Sequence, residues 1–161
     1  SLFFMIIYIL RHAEAEPIAA SDAARKLTLK GNKQAVRMGK FCWEHGIIPQ
    51  LILTSPFCRA RETAQHVVDE LRNVELIEVP WMACGMSPET ALKELKAYAA
   101  FDSVMLVGHE PDLSSLIAHL LGMRDSQSID VRKASLTAIE LNKLASGAGV
   151  LQFFIPCELV E

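Results

Sequence analysis

Arg11, His12, Arg59 and His109 are the residues of this sequence best placed for chemistry, because each stands just past a short apolar run. The three junctions read Leu10-Arg11-His12, Thr54-Ser55-Pro56-Phe57-Cys58-Arg59 and Val107-Gly108-His109-Glu110-Pro111. A guanidinium fork matches phosphate oxygens bidentately, and a neutral imidazole nitrogen can attack phosphorus. Two of each point to phosphoryl transfer, which depends mainly on positioning and on positive charge around the equatorial oxygens. Such a set can act without a metal ion or other cofactor, and none is expected: no His-x-x-x-His pair or carboxylate cluster marks a metal site. Taken singly, an arginine here reads as an ion-pair residue and a histidine at a strand end as a structural one. Their combination decides otherwise. His45, His66 and His119 lack such partners and are assigned to surfaces or core edges. Cys58 and Cys84 fail the test for cysteine phosphatases, since the sixth position after each is Ala64 or Thr90 rather than arginine.

The elements that must position these residues follow from the apolar pattern. Residues 3–10 are apolar and often β-branched without alternation, as in a first strand buried on both faces. Residues 51–54 and 103–107 repeat the signal. Thr28 caps a predicted helix running to about His45, with Ala35, Met38, Gly39 and Cys42 on one face and Gly46 as its stop. Ser55-Pro56 and Ser87-Pro88 each read as a cap followed by the proline favoured at the first helical position, opening helices to about Leu71 and Ala99. Pro111 opens another to about Leu121. Helices alternating with buried strands predict an α/β fold with a largely parallel sheet. Residues 136–141 and 150–155 flank a turn containing Ser146, Gly147 and Gly149, and predict an antiparallel pair at a sheet edge. With no repeat, low-complexity tract or linker, residues 1–161 read as one domain. In open α/β sheets ligands bind beyond the carboxyl ends of the strands. That rule brings both histidines and both arginines to one edge, where two of the junctions lead into helix N-termini that favour anions.

Arg11-His12, Ser55-Pro56-x-x-Arg59-Ala60 and Gly108-His109 resemble the motifs of the histidine phosphatase superfamily. The stretches RHAEAEP, RKLTLKG, SPFCRARET and VGHEPDL, in that order between about Ile7 and Cys157, resemble its SixA-like phosphohistidine phosphatases. The resemblance implies a three-layer α/β/α sandwich of the phosphoglycerate-mutase-like type, mostly parallel with an antiparallel edge. It implies that His12 is the nucleophile that becomes phosphorylated, and that Arg11, Arg59 and His109 bind the phosphoryl group. Arg25 matches a further basic residue that reaches the site from the loop before the first helix and binds substrate. The superfamily often places glycine after the Arg-His pair; Ala13 stands here and is tolerated where φ is negative. Many members carry a glutamate as general acid where this sequence has Trp81. Glu62, Glu14 and Glu110 lie near the motifs as candidate proton donors, and nothing in the sequence chooses among them.

The lack of an evident acid bears on the substrate. Phosphohistidine loses a neutral imidazole when its other ring nitrogen is protonated, so its P–N bond needs less proton donation than an ester does. Only about 15 residues separate His12 from Thr28, and about 15 separate Leu71 from Ser87, leaving no long insertion to build a lid. An open pocket suits a side chain presented by another protein. The expected substrate is therefore phosphohistidine on a protein, such as a histidine-containing phosphotransfer domain. The alternatives are a phosphatase or mutase for a small phosphate ester, and a non-catalytic phosphate-binding module; the intact nucleophile weighs against the module.

Composition narrows the partners. The 161 residues include 16 Lys/Arg and 19 Asp/Glu, for a net charge of -3, with no basic block to track a nucleic acid or an anionic membrane. The sequence leaves the oligomeric state open. Cys42, Cys58, Cys84 and Cys157 form no Cys-x-x-Cys pair and read as reduced, mostly buried thiols of a cytoplasmic protein. The apolar opening lacks a basic flank before it and is too short to span a bilayer. Met5 begins a more ordinary start, so residues 1–4 read as upstream residues or a cloning remnant.

Overall fold

The run MIIYILR forms β1 (Met5–Arg11), and its side chains are buried on both sides, as the unbroken apolar pattern requires. A computed structural model describes residues 2–160 of the chain; Ser1, part of the expected upstream segment, lies outside them. β2 (Leu51–Thr54) and β4 (Ser103–Gly108) are the other two buried runs, and all three strands are parallel. β4 lies between β1 and β2. A fourth parallel strand, β3 (Glu75–Glu78), extends the edge beyond β2. On the far side of β1, β5 (Leu136–Leu141) and β6 (Gly149–Ile155) pair antiparallel, giving the order β3-β2-β4-β1-β5-β6.

Helices cover both faces. Ile7, Ile9, Leu53 and Leu106 point to one side, against α3 (Pro88–Leu95) and α4 (Asp112–Leu121). Leu10, Ile52, Met105 and Val107 point to the other, against α1 (Leu29–Glu44) and α2 (Cys58–Leu71). Fully burying one such aliphatic side chain is worth about 1.5–3 kcal/mol, so two cores of this kind hold the three layers without staples. The four cysteines are free; Cys42 and Cys157 are buried, whereas Cys84 is exposed, against the expectation of mostly buried thiols. Among the described residues no helix is long and apolar enough to cross a membrane.

Helix boundaries follow the caps with one instructive exception. Thr28 Oγ1 accepts the Gly31 N–H at 2.9 Å, and Gly46, at φ +67°, turns the chain just past the end of α1. Ser87 Oγ likewise accepts the Thr90 N–H at 3.1 Å, but α3 ends at Leu95 and continues only as a 3-10 turn, Lys96–Tyr98. Ser55 does not cap α2. The helix starts three residues later, at Cys58, because the Ser55 hydroxyl accepts from Phe57 N at 3.1 Å and meets His109 Nε2 at 2.7 Å. A Cβ on Gly31 would run into the carbonyl of Glu14, so only glycine lets α1 lie this close to the chain leaving β1.

Candidate active site

β1 and β4 are neighbours whose chains leave in opposite directions, one towards α1 on one face and the other into α4 on the opposite face. Such a switch opens a crevice beyond the strand ends. Arg11 pairs in register with Gly108, and His12 N–H donates to the Gly108 carbonyl at 3.0 Å. The next residue on each strand is thus a histidine, and the His12 and His109 ring centroids lie 5.3 Å apart. They are 5% and 2% exposed.

The tautomer of His12 follows from its partners. Nδ1 lies 2.7 Å from the Ala13 carbonyl, which can only accept, so Nδ1 carries the proton. Nε2 therefore keeps its lone pair, and Arg59 Nε donates towards it at 3.3 Å. Ala13 is not among the residues with positive φ, which leaves room for its Cβ in place of the usual glycine hydrogen. Its N–H donates to Thr63 Oγ1 at 3.0 Å, and the Thr63 hydroxyl donates to the Arg59 carbonyl at 2.7 Å. That chain of bonds locks the end of β1 to the first turn of α2, from which Arg59 projects.

Arg59 is 4% exposed, and its guanidinium divides its donors. Nε faces His12, Nη1 donates to the Asp22 carbonyl at 2.8 Å, and Nη2 meets the Asp22 carboxylate at 3.2 Å and Cys84 Sγ at 3.5 Å. Phe57 packs beneath, with Arg59 Cζ 5.2 Å from its ring centroid and the His109 ring at 5.1 Å, edge to face. Arg11 is half-buried; Nη1 donates to the Val131 carbonyl at 2.9 Å, while its Nε is buried without a partner among the described residues. His109 Nδ1 is likewise buried and unpartnered among the described residues. The Ser55 hydroxyl can supply the proton of the His109 Nε2 contact, which leaves Nδ1–H as a free donor. Arg59 Nε thus faces the His12 lone pair, and the neighbouring Arg11 and His109 each carry a buried donor without an acceptor among the described residues, an arrangement that can hold an anion at an attacking nitrogen.

Burial pushes His12 down to about 3, and nearby His109, Arg59 and Arg11 add to the effect while the Ala13 bond opposes it. His109 goes down to about 4, chiefly by burial and then by Arg59. Both rings are thus neutral near pH 7. In an unfolded chain each titrates near 6.5, so below that pH the unfolded state takes up protons that the folded state refuses. Stability should therefore be flat above pH 7 and fall as pH drops towards 4, by at most about 2.7 kcal/mol per pH unit for two groups. Urea midpoints at pH 7.5, 6 and 5 test this, with His12→Asn/His109→Asn as the comparison. An equal pH slope in the double variant would contradict it.

The remaining expected residues are placed differently. Arg25 does not touch His12, Arg11 or His109; its Nε donates to the Glu16 carbonyl at 2.6 Å and its Nη1 meets Asp22 Oδ1 at 3.0 Å. It joins Arg59 through Asp22, whose carboxylate meets both guanidinium groups and whose carbonyl accepts from the Arg25 N–H at 3.3 Å and from Arg59 Nη1 at 2.8 Å. Glu62 accepts the Leu27 N–H at 2.9 Å, Glu14 accepts the Thr28 hydroxyl at 2.9 Å, and Glu110 accepts the Ser114 N–H at 2.7 Å. Each of the three is thus engaged in holding a loop or a helix start. Trp81 lies in the 3-10 turn Pro80–Met82 and packs against the core. The chain beyond it is anchored by Asp112, which accepts the N–H groups of Gly85 and Met86 at 2.9 and 3.1 Å. Among the described residues no group of three or more His, Cys, Asp or Glu is arranged to hold a metal ion. Sequence reasoning missed Asp22, Ser55 and Thr63. The Asp22-x-x-Arg25 spacing was the one available signal for the first.

The family model for the histidine phosphatase superfamily (branch 1) matches residues 7–82. A phosphohistidine phosphatase SixA homolog of Haemophilus influenzae is 36% identical over 132 residues, covering 75% of this chain and 80% of that protein. Phosphohistidine phosphatase SixA of Escherichia coli is 31% identical over 119 residues, covering 72% and 74% respectively. A solved structure of the protein histidine phosphatase SixA complexed with tungstate shares the fold, with a TM-score of 0.86 over 95% of this chain and 97% of that one at 24% identity.

Proposed function

This chain belongs to the histidine phosphatase superfamily and to its SixA-like group, and from that premise we propose that it hydrolyses phosphohistidine on a protein through a phosphorylated His12. The observation that carries the reading is the His12 tautomer: Nδ1–H is committed to the Ala13 carbonyl at 2.7 Å, while Nε2 faces Arg59 with its lone pair. The names of the relatives support the substrate class, and the tungstate bound by one SixA supports a site for a tetrahedral oxyanion. Residues 1–161 act in this reading as one catalytic domain.

His12 Nε2 attacks phosphorus, the bond to the leaving nitrogen breaks, and that nitrogen keeps the electron pair. Arg59, Arg11 and His109 Nδ1–H surround the equatorial oxygens as charge redistributes, and Arg25 supports substrate binding from the loop. Water then attacks phospho-His12, releasing phosphate and restoring the free ring. Glu14, Glu62 and Glu110 are not assigned as proton donors, because a leaving imidazole protonated on its other nitrogen departs neutral.

The test offers a phosphohistidine peptide and p-nitrophenyl phosphate to the same enzyme. The peptide should be turned over faster by kcat/KM, and rapid quenching at high pH should trap an acid-labile phosphate on His12. Much faster turnover of the ester would move the assignment to a small-ester phosphatase. The absence of any label with either substrate would end the covalent reading.

A further inference from the structure

Asp22 is the feature of the site for which the nucleophile and the phosphate donors leave no role. It lies in a 3-10 turn, Asp22–Ala24, at the tip of a loop whose base is closed by the Ala15–Leu27 bridge and the Glu16 N–H bond to the Lys26 carbonyl. Its side chain is 57% exposed, in contrast to the buried histidines, so it stands at the mouth. The Arg59 fork sets its position relative to the reaction axis. Nε and Nη2 are the parallel side-on donors of a guanidinium; here the first faces His12 Nε2 at 3.3 Å and the second faces Asp22 Oδ2 at 3.2 Å. A phosphoryl group held on that fork has His12 on one side and the Asp22 carboxylate on the other. In-line attack from the buried side sends the leaving atom towards the mouth, where Asp22 stands.

A carboxylate there repels the negative charge that grows on an ester oxygen, but it can accept a hydrogen bond from a leaving imidazole. Its two oxygens offer about four lone-pair sites, and the contacts to Arg25 and Arg59 use two. The Arg25 hydrogen bond, followed by Arg59, holds its carboxyl below the usual carboxylate range, so near neutral pH it is an ionised acceptor of hydrogen bonds rather than a proton donor. We infer that Asp22 is a specificity residue whose carboxylate accepts the N–H of the far ring nitrogen of a phosphorylated imidazole, favouring P–N over P–O substrates. The inference rests on the phosphohistidine reading above. In the step it assists, His12 Nε2 bonds to phosphorus and the substrate P–N bond breaks. The electron pair stays on the leaving nitrogen, and the far nitrogen keeps its proton, hydrogen-bonded to the Asp22 carboxylate, so the ring departs neutral.

The test measures kcat/KM of wild type, Asp22→Asn and Asp22→Glu on a phosphohistidine peptide and on p-nitrophenyl phosphate. Circular dichroism and melting confirm that each variant is folded. Asp22→Asn should lose about tenfold on the peptide and stay level or rise on the ester. Asp22→Glu should recover part of the preference. Equal losses on both substrates would make Asp22 a mere support for Arg59, and a gain on both would make it a competitor for the fork; either overturns the inference. If wild type hydrolyses the ester but not the peptide, the functional reading fails along with it. A wild type that prefers the peptide with an unchanged ratio in Asp22→Asn fails the inference alone.

Discussion

His12→Ala should lower turnover of a phosphohistidine peptide by about 10⁴-fold or more, the scale seen when a covalent nucleophile is deleted. The loss should fall on kcat, since Arg11, Arg59 and His109 remain to bind phosphate. The same variant should take up no acid-labile phosphate from labelled substrate. Among the described residues the side chain's only hydrogen-bonding partners are the neighbouring carbonyl and a guanidinium, so the fold should survive its removal, with a near-native far-UV spectrum as the control. A variant that keeps a tenth of wild-type turnover would exclude His12 as the nucleophile. Retained turnover with the label on another histidine would instead move the attack to that residue.

Arg59→Ala should be almost as severe for activity and worse for the protein. The guanidinium touches His12, both the main-chain and side-chain oxygens of Asp22, and Cys84, so its loss removes charge from the transition state and unties the loop at once. Removing one strong donor from such a site costs about 10²–10³ in kcat. Because Arg59 faces His12 Nε2 and, in the proposed mechanism, also holds the phosphoryl group, its loss should sit at or above the upper figure. Arg59→Lys separates the two contributions. It keeps the charge but not the side-on fork, so activity should stay at least tenfold down while melting recovers part of the loss. Full activity in the lysine variant would show that a point charge suffices and that the fork geometry is idle.

The sequence exposed the three central strands because strands buried on both faces must be apolar throughout. β3 escaped notice because it is a four-residue edge strand with glutamates at both ends, and edge strands are short and charged for reasons of solubility. The start of α2 was misplaced for a reason that belongs to the site: Ser55 reads as a cap by propensity, but its hydroxyl serves His109 and the turn into the helix. The strand-end rule together with the motifs brought His12, Arg11, Arg59 and His109 to one edge, and the geometry puts them there. Asp22 and Thr63 were hidden because their contacts cross 37 and 50 residues of chain, to Arg59 and Ala13. No local period encodes such separations. The glutamates near the motifs illustrate the converse, since proximity in sequence placed them beside the site but their hydrogen bonds tie them to loop and helix starts.

The proton on His12 Nδ1 is held by a main-chain oxygen, and every amino acid that could stand at position 13 brings that oxygen with it. In hydrolases that orient their histidine with an aspartate, one base change can abolish the reactive tautomer. Here no single substitution deletes the acceptor; only a change in the path of the chain can. The reactive tautomer of His12 is thus insulated from genetic drift, whereas the loop carrying Asp22 is held by side chains that a single substitution can remove. Heritable change in such a protein would act first on which phosphorylated groups it accepts, and last on how it attacks them.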